Sequence, residues 1–390
     1  MGDFFSSLAS QRSALTTFFT LVLFCALLFI TWPARRYPYR INRDSRIHAY
    51  WLILLYFVFA MNDGDWFHLY NLFQDSSFRS RDVSDISSQS AGLEQAYIFI
   101  AKIVGYNYLL FRLIVWGGTA LFSYLLGKRL GVNKSLYLFF FVIISLDIFS
   151  FQRGSLAMAL GFWGFSYIIK PFKKSKLLSF CIGLTIIYCS TFFHKSAFIL
   201  IPVFLLSFLR YNKRTIVLLL IGAPVIAYFM LNYLADFLLN LGTDGELINA
   251  TVMQGYLTVE KRHMGIGSIL RNIILPLMFF SMFWYVVKQV IIKKVPLPNP
   301  YLRLFNSAFV IIVGSFLLLI VGSVINVSML YMRFLYFSVL PLSIVISYIY
   351  DNYKKVGKPD LFVLICITCS LYKIILNLLG AIFLGEAGRT

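Results

Sequence analysis

Charge is scarce in this chain and acidic charge scarcest: Asp and Glu number 16 of 390 residues, and charged residues of both signs reach only 13%. So little polar material cannot cover a water-soluble globule. With 59% hydrophobic residues, the bilayer is the solvent this composition implies. Histidines number four, without the spacing of a metal site. There is no P-loop, no soluble catalytic domain and no convincing internal repeat, and no cofactor is indicated. The five cysteines, Cys25, Cys181, Cys189, Cys366 and Cys369, fall in apolar runs where they act as small apolar residues, so no disulfide is expected. Cys366 and Cys369 have C-x-x-C spacing but no nearby His or Asp, which favours packing over zinc. The first apolar run is too long for a signal-peptide core and lacks a small-residue cleavage site, so it reads as a membrane helix.

What is present is a series of apolar stretches, each near the roughly 20 residues that cross a hydrocarbon core as a helix. They predict an all-α polytopic bundle with spans over 13–32, 48–61, 107–127, 135–151, 154–170, 176–193, 196–210, 215–234, 268–291, 303–325, 328–349 and 360–384. The whole chain, 1–390, reads as one integral membrane domain.

The formal charge of +19 is a topology signal. Basic clusters recur at alternate loops: Arg35, Arg36, Arg40, Arg43 and Arg46; Lys128, Arg129 and Lys134; Lys170, Lys173, Lys174 and Lys176; Arg210, Lys213 and Arg214; Lys288, Lys293, Lys294 and Arg303; Lys354, Lys355 and Lys358. These loops hold 22 of the 35 basic residues and three acids, Asp44, Asp351 and Asp360, which accounts for the entire net charge. They are expected to be cytoplasmic, with both termini outside. The rest of the chain is formally neutral, so no nucleic-acid partner is implied. Two outer segments are long enough to hold structure, 62–106 and 235–267. In the first, Leu93 to Gly105 predicts an amphipathic helix at the outer interface; the second, with Gly242, Gly245, Gly255, Gly265 and Gly267, reads as a loop.

Arginines at outer helix ends run against the positive-inside rule. Arg112, Arg153, Arg271 and Arg333 each lie near the outer end of a different predicted span. An arginine facing hydrocarbon costs roughly 2.5–3.5 kcal/mol near a helix centre. Snorkelling to lipid phosphates is the plain alternative for each; four from separate helices on one side point to a shared, multiply charged ligand. His194, at the outer turn after 176–193, can act as a base near neutral pH or donate to phosphate, or simply satisfy a helix end. Asp63 and Asp65 stand just outside the second span, and Glu94 opens the amphipathic helix. These are outer-face carboxylates for proton abstraction, with solvated loop acids as the alternative. Asp147 is placed to pair with Arg153, and Lys373 falls within the last span.

Five segments carry a family resemblance: G-D-W-F-H-L-Y (64–70), L-E-Q-A-Y (93–97), Q-R-G-S-L-A-M-A (152–159), F-F-H-K-S-A-F-I-L-I-P (192–202) and Y-M-R-F-L-Y-F (331–337). In this order the chain resembles the EpsG/Wzy-type polysaccharide polymerases, bacterial membrane enzymes that extend O-antigen, capsule or exopolysaccharide on undecaprenyl diphosphate. The resemblance implies a GT-C-like helix bundle in the bacterial inner (plasma) membrane with an outward-facing site. Arg153, His194 and Arg333 match the family's polar outer-face positions, and Asp65, Tyr70 and Glu94 its early acidic loop. The family's G-x-D spacing is here Gly64-Asp65, so Asp63 is a substitute for Asp65. Expected partners are the carrier-linked glycan donor and acceptor, the lipid bilayer and a chain-length regulator. Arg153 and Arg333, supported by Arg112 and Arg271, are expected to hold the leaving diphosphate, and His194, with Asp65 or Glu94, the acceptor hydroxyl. The rival readings are a lipid-linked oligosaccharide flippase and an O-antigen ligase-like transferase.

Overall fold

A computed structural model describes residues 18, 21–26, 28, 73, 95–145, 152–209, 211–212, 214–215, 218–219, 221–222, 225, 278–324, 334–353 and 361–383. No strand occurs among them. The helices are α1 (Gln95–Ile103), α2 (Tyr108–Leu130), α3 (Lys134–Ser145), α4 (Gln152–Ile169), α5 (Lys176–Phe193), α6 (Leu200–Leu206), α7 (Met278–Ile292, its end a π-turn), α8 (Asn299–Val324), α9 (Val339–Tyr353) and α10 (Leu361–Phe383). Among the described residues, four stretches are long and apolar enough to cross a membrane: Leu110–Leu130, Lys176–Phe193, Asn299–Leu317 and Phe334–Tyr353.

Within the described residues the helices follow the apolar runs closely, with two departures: a turn at 337–338 interrupts the run over 328–349 before α9 begins, and the run over 196–210 is broken. Instead of a continuous helix over 196–210 there is a 3-10 turn, Lys195–Ile199, followed by the seven-residue α6. Pro202 has no N–H to offer the carbonyl of Phe198, so a single α-helix cannot run through this point with its bonds intact. At about 10 Å, α6 is shorter than a hydrocarbon core.

The chain divides into two compact units, Met1–Ile201 with Ser343–Thr390, and Pro202–Leu342. In the first, α4 packs on both α2 and α5. Lipid offers no hydrophobic drive for helices to associate, so close approach at small residues has to supply it. Gly164 of α4 and Gly183 of α5 meet backbone to backbone: a Cβ on Gly164 would lie 2.9 Å from the Gly183 carbonyl oxygen, and one on Gly183 would lie 2.8 Å from that of Gly164. Ser179 of α5 donates its hydroxyl to the Tyr167 carbonyl of α4 at 2.8 Å, which fixes the pair as antiparallel. Gly183→Ala is therefore expected to destabilise the detergent-solubilised protein by about 1–3 kcal/mol, read as a lower thermal midpoint.

Helices α2 and α4 run parallel and cap each other at their C-terminal ends. Arg129 donates to the Lys170 carbonyl at 2.6 Å, and Lys170 Nζ donates to the carbonyls of Arg129 at 2.8 Å and Leu130 at 3.1 Å. Cations placed on final-turn carbonyls satisfy acceptors that the helix cannot and oppose the negative end of its dipole. Gly131, with φ of 81°, ends α2. Asn133, beyond it, donates to Asp351 in α9 at 2.9 Å, and Ser370 of α10 donates to the Ile143 carbonyl of α3 at 2.8 Å.

The second unit repeats the capping device. From α8, Asn306 donates to the carbonyls of Ser207 and Leu209 at 2.8 and 3.0 Å, and Arg303 to that of Ser207 at 3.2 Å, closing the C-terminal end of α6. Gly314 of α8 lies under the Phe334 ring, which leaves no room for a Cβ. Spans also satisfy their own hydroxyls: Ser166, Ser190, Ser207, Ser315 and Ser347 each donate to a carbonyl three or four residues back.

Candidate functional site

The ends of α2, α4 and α5 opposite the Arg129–Lys170 caps carry the residues of interest. Arg112 sits one turn into α2, which starts at Asn107, whose side chain accepts from the Leu110 N–H at 3.1 Å. Its side chain is fully buried, with the guanidinium carbon 6.0 Å from the centre of the Tyr108 ring. Among the described side chains no other Asp, Glu, Lys, Arg or His is fully buried. A cation enclosed in a membrane helix is costly enough that its retention marks a functional site by default.

Arg153 is the second residue of α4, and the two residues beyond Gly154 tie that first turn to α2. The Ser155 hydroxyl is 3.4 Å from that of Thr119, and Leu156 presses against Gly118, where a Cβ would lie 2.9 Å from its Cδ1. Arg112 lies two turns before Thr119, on the same face of α2.

His194 follows directly from the α4–α5 register. It lies eleven residues beyond Gly183, and Arg153 lies eleven residues before Gly164. With a rise of 1.5 Å per residue, both stand about 16 Å along the pair from the glycine contact, at the same level. His194 is partly buried and ends α5: its backbone N–H bonds the Ser190 carbonyl at 3.3 Å, and its own carbonyl accepts from the Ala197 N–H at 2.9 Å. The imidazole is thus mounted on a backbone fixed from both sides.

An aromatic cluster joins these elements. Phe193, next to His194, meets Tyr97 of α1 edge-on at 5.7 Å; Tyr97 meets Phe111, next to Arg112, at 5.9 Å. Phe73 adds edge contacts to Phe111 at 4.9 Å and Tyr108 at 5.4 Å, and Leu156 completes the buried group. Edge-to-face ring pairs contribute about 0.5–1.5 kcal/mol each beyond area burial. Between α1 and α2 the chain reverses through Gly105 and Tyr106, with φ of 60° and 57°; a tyrosine in this left-handed region is strained, and its ring packs on Phe73 at 6.1 Å.

Within Leu93 to Gly105, where an amphipathic helix is expected, the structure forms the helix α1 over Gln95–Ile103. It buries Tyr97, Ile98 and Ala101 and exposes Phe99 and Ile103. Of the expected site residues, the structure brings Arg112, Arg153 and His194 to one end of one packed group. Asp63, Asp65, Tyr70, Glu94, Arg271 and Arg333 lie outside the described residues, as do Asp147 and the segment 235–267. The sequence reading overlooked Tyr97, Phe111 and the Thr119–Ser155 pair as parts of the site. Tyr97 was within reach, since it closes the L-E-Q-A-Y segment; the others depend on a partner helix. Among the described residues no group of His, Cys, Asp or Glu is arranged to hold a metal.

No curated protein and no solved structure matches the chain. The family model that does match is that of the EpsG family, over residues 46–384. A membrane protein built of apolar helices, with most of its length covered by this model, is of the polysaccharide-polymerase type, and the chain belongs to the EpsG family.

Proposed function

We propose that the protein polymerises O-antigen, capsule or exopolysaccharide, moving a glycan from undecaprenyl diphosphate to a carrier-linked repeat unit at the outer face of the inner membrane. The acceptor hydroxyl attacks the anomeric carbon, a carbon–oxygen bond forms as the bond to diphosphate breaks, and undecaprenyl diphosphate leaves. The hydroxyl proton passes to His194. Arg153 and Arg333, with Arg112 and Arg271, hold the diphosphate; Asp65 or Asp63, Glu94 and Tyr70 orient the acceptor or substitute for the base. About twelve spans of GT-C type would carry this site.

The observation supporting this most is the α4–α5 register, which sets His194 level with Arg153 toward the end of α2 that carries the buried Arg112. A base and permanent cations at one end are what loss of a proton and departure of a diphosphate require. Guanidinium forks match phosphate oxygens without a bridging ion, so the reaction is metal-independent. The test is the purified protein in liposomes with a lipid-linked repeat unit. Chain extension should release one polyprenyl diphosphate per unit added and continue unchanged in excess chelator. Abolition by chelator and rescue by a divalent cation would remove the arginines from that role.

A further inference from the structure

We propose that the α4–α5 turn, with the adjoining end of α2, is a binding site for the headgroup of an acidic phospholipid in the cytoplasmic leaflet. Six basic residues meet here, and the structure divides them into two sets. Arg129 and Lys170 are consumed by the reciprocal helix caps. Lys128, Lys173, Lys174 and Lys176 are exposed. The turn is held in place: the Arg129 guanidinium lies 3.7 Å from the Tyr167 ring centre and 4.8 Å from that of Phe172, which anchors Phe172 of the turn to the end of α2. Ser175 then starts α5, its hydroxyl accepting from the Leu178 N–H at 3.3 Å.

Two features fit an anionic lipid, the first of them setting it apart from a soluble anion. Directly beside the lysines, Phe172, Leu177, Leu178 and Phe180 are exposed, offering apolar surface for acyl chains under the charged group. Carboxylates that would neutralise the lysines are also scarce in the neighbouring sequence. Between Glu94 and Asp236 the only acid is Asp147. Asp351, carried near by α9, already accepts from Asn133. A pinned turn presenting a cationic group above an apolar one is complementary to an anionic headgroup and its chains.

The test compares two triple variants by native mass spectrometry of protein extracted into mild detergent and offered phosphatidylglycerol or phosphatidylcholine. K173Q/K174Q/K176Q should lower retention of phosphatidylglycerol by about tenfold or more, with no change for phosphatidylcholine. K288Q/K293Q/K294Q, which removes three exposed lysines from another basic loop, should change it by less than about twofold. Equal losses from both variants would show diffuse attraction, and no loss from the first would show no site. Full displacement by millimolar glycerol phosphate would show a soluble-phosphate site. Each of these three outcomes overturns the proposal. All six lysines are exposed, and size-exclusion profiles verify that the variants remain folded.

Discussion

Arg153→Lys is expected to lower chain extension by about two orders of magnitude while leaving membrane insertion and protein level unchanged. Lysine keeps the charge, so a loss of this size reports the planar donor fork rather than the cation. The first turn of α4 is tied to α2 through Ser155 and Leu156, and neither contact involves residue 153. The helix should therefore form equally well in the variant. A rate assay on reconstituted protein, normalised to folded protein, separates the cases. Wild-type rates in Arg153→Lys would mean that residue 153 supplies only charge, and that diphosphate is held elsewhere.

His194→Gln should be as damaging, because removing a general base costs about 10²- to 10⁴-fold. The backbone bonds that end α5 and start the 3-10 turn belong to the N–H and carbonyl of residue 194, not to its ring, so the turn survives the substitution. Glutamine retains a donor but accepts no proton at neutral pH. Activity within a few-fold of wild type would reduce His194 to a hydrogen-bond donor and move the base to Asp65 or Glu94. The pH profile distinguishes these: a histidine base loses activity as it protonates on acidification, before a carboxylate would.

Much of the architecture was legible because helix boundaries follow hydropathy when lipid is the solvent. Most cases where it was not legible depend on a partner helix. Gly164 and Gly183 look like ordinary glycines in apolar runs until the two helices are set side by side, since close approach is a property of the pair. The break over 196–210 comes at Pro202, which continuous hydrophobicity on both sides conceals. The basic loops were read as topology signals alone. Arg129, Lys170 and Arg303 also cap neighbouring helix ends, and their acceptors lie 41, 40 and 96 residues away in sequence.

At the site, Arg112 was legible as an arginine in the wrong place, and its complete burial sharpens that reading. The level shared by Arg153 and His194 was not legible, because it depends on the register set by the glycine contact some 16 Å away. Nor was the ring sequence from Phe193 through Tyr97 to Phe111, which joins three helices whose aromatics are unremarkable among the 40 phenylalanines of the chain.

The central claim, polymerisation rather than transport or final transfer, is tested most directly by electrophoresis of surface glycan from a strain lacking this protein. The account predicts single repeat units attached to the final acceptor, with the ladder of longer chains absent and restored by the wild-type gene but not by Arg153→Lys. Long unattached chains would identify a ligase, and loss of both single units and chains a flippase; either would contradict it.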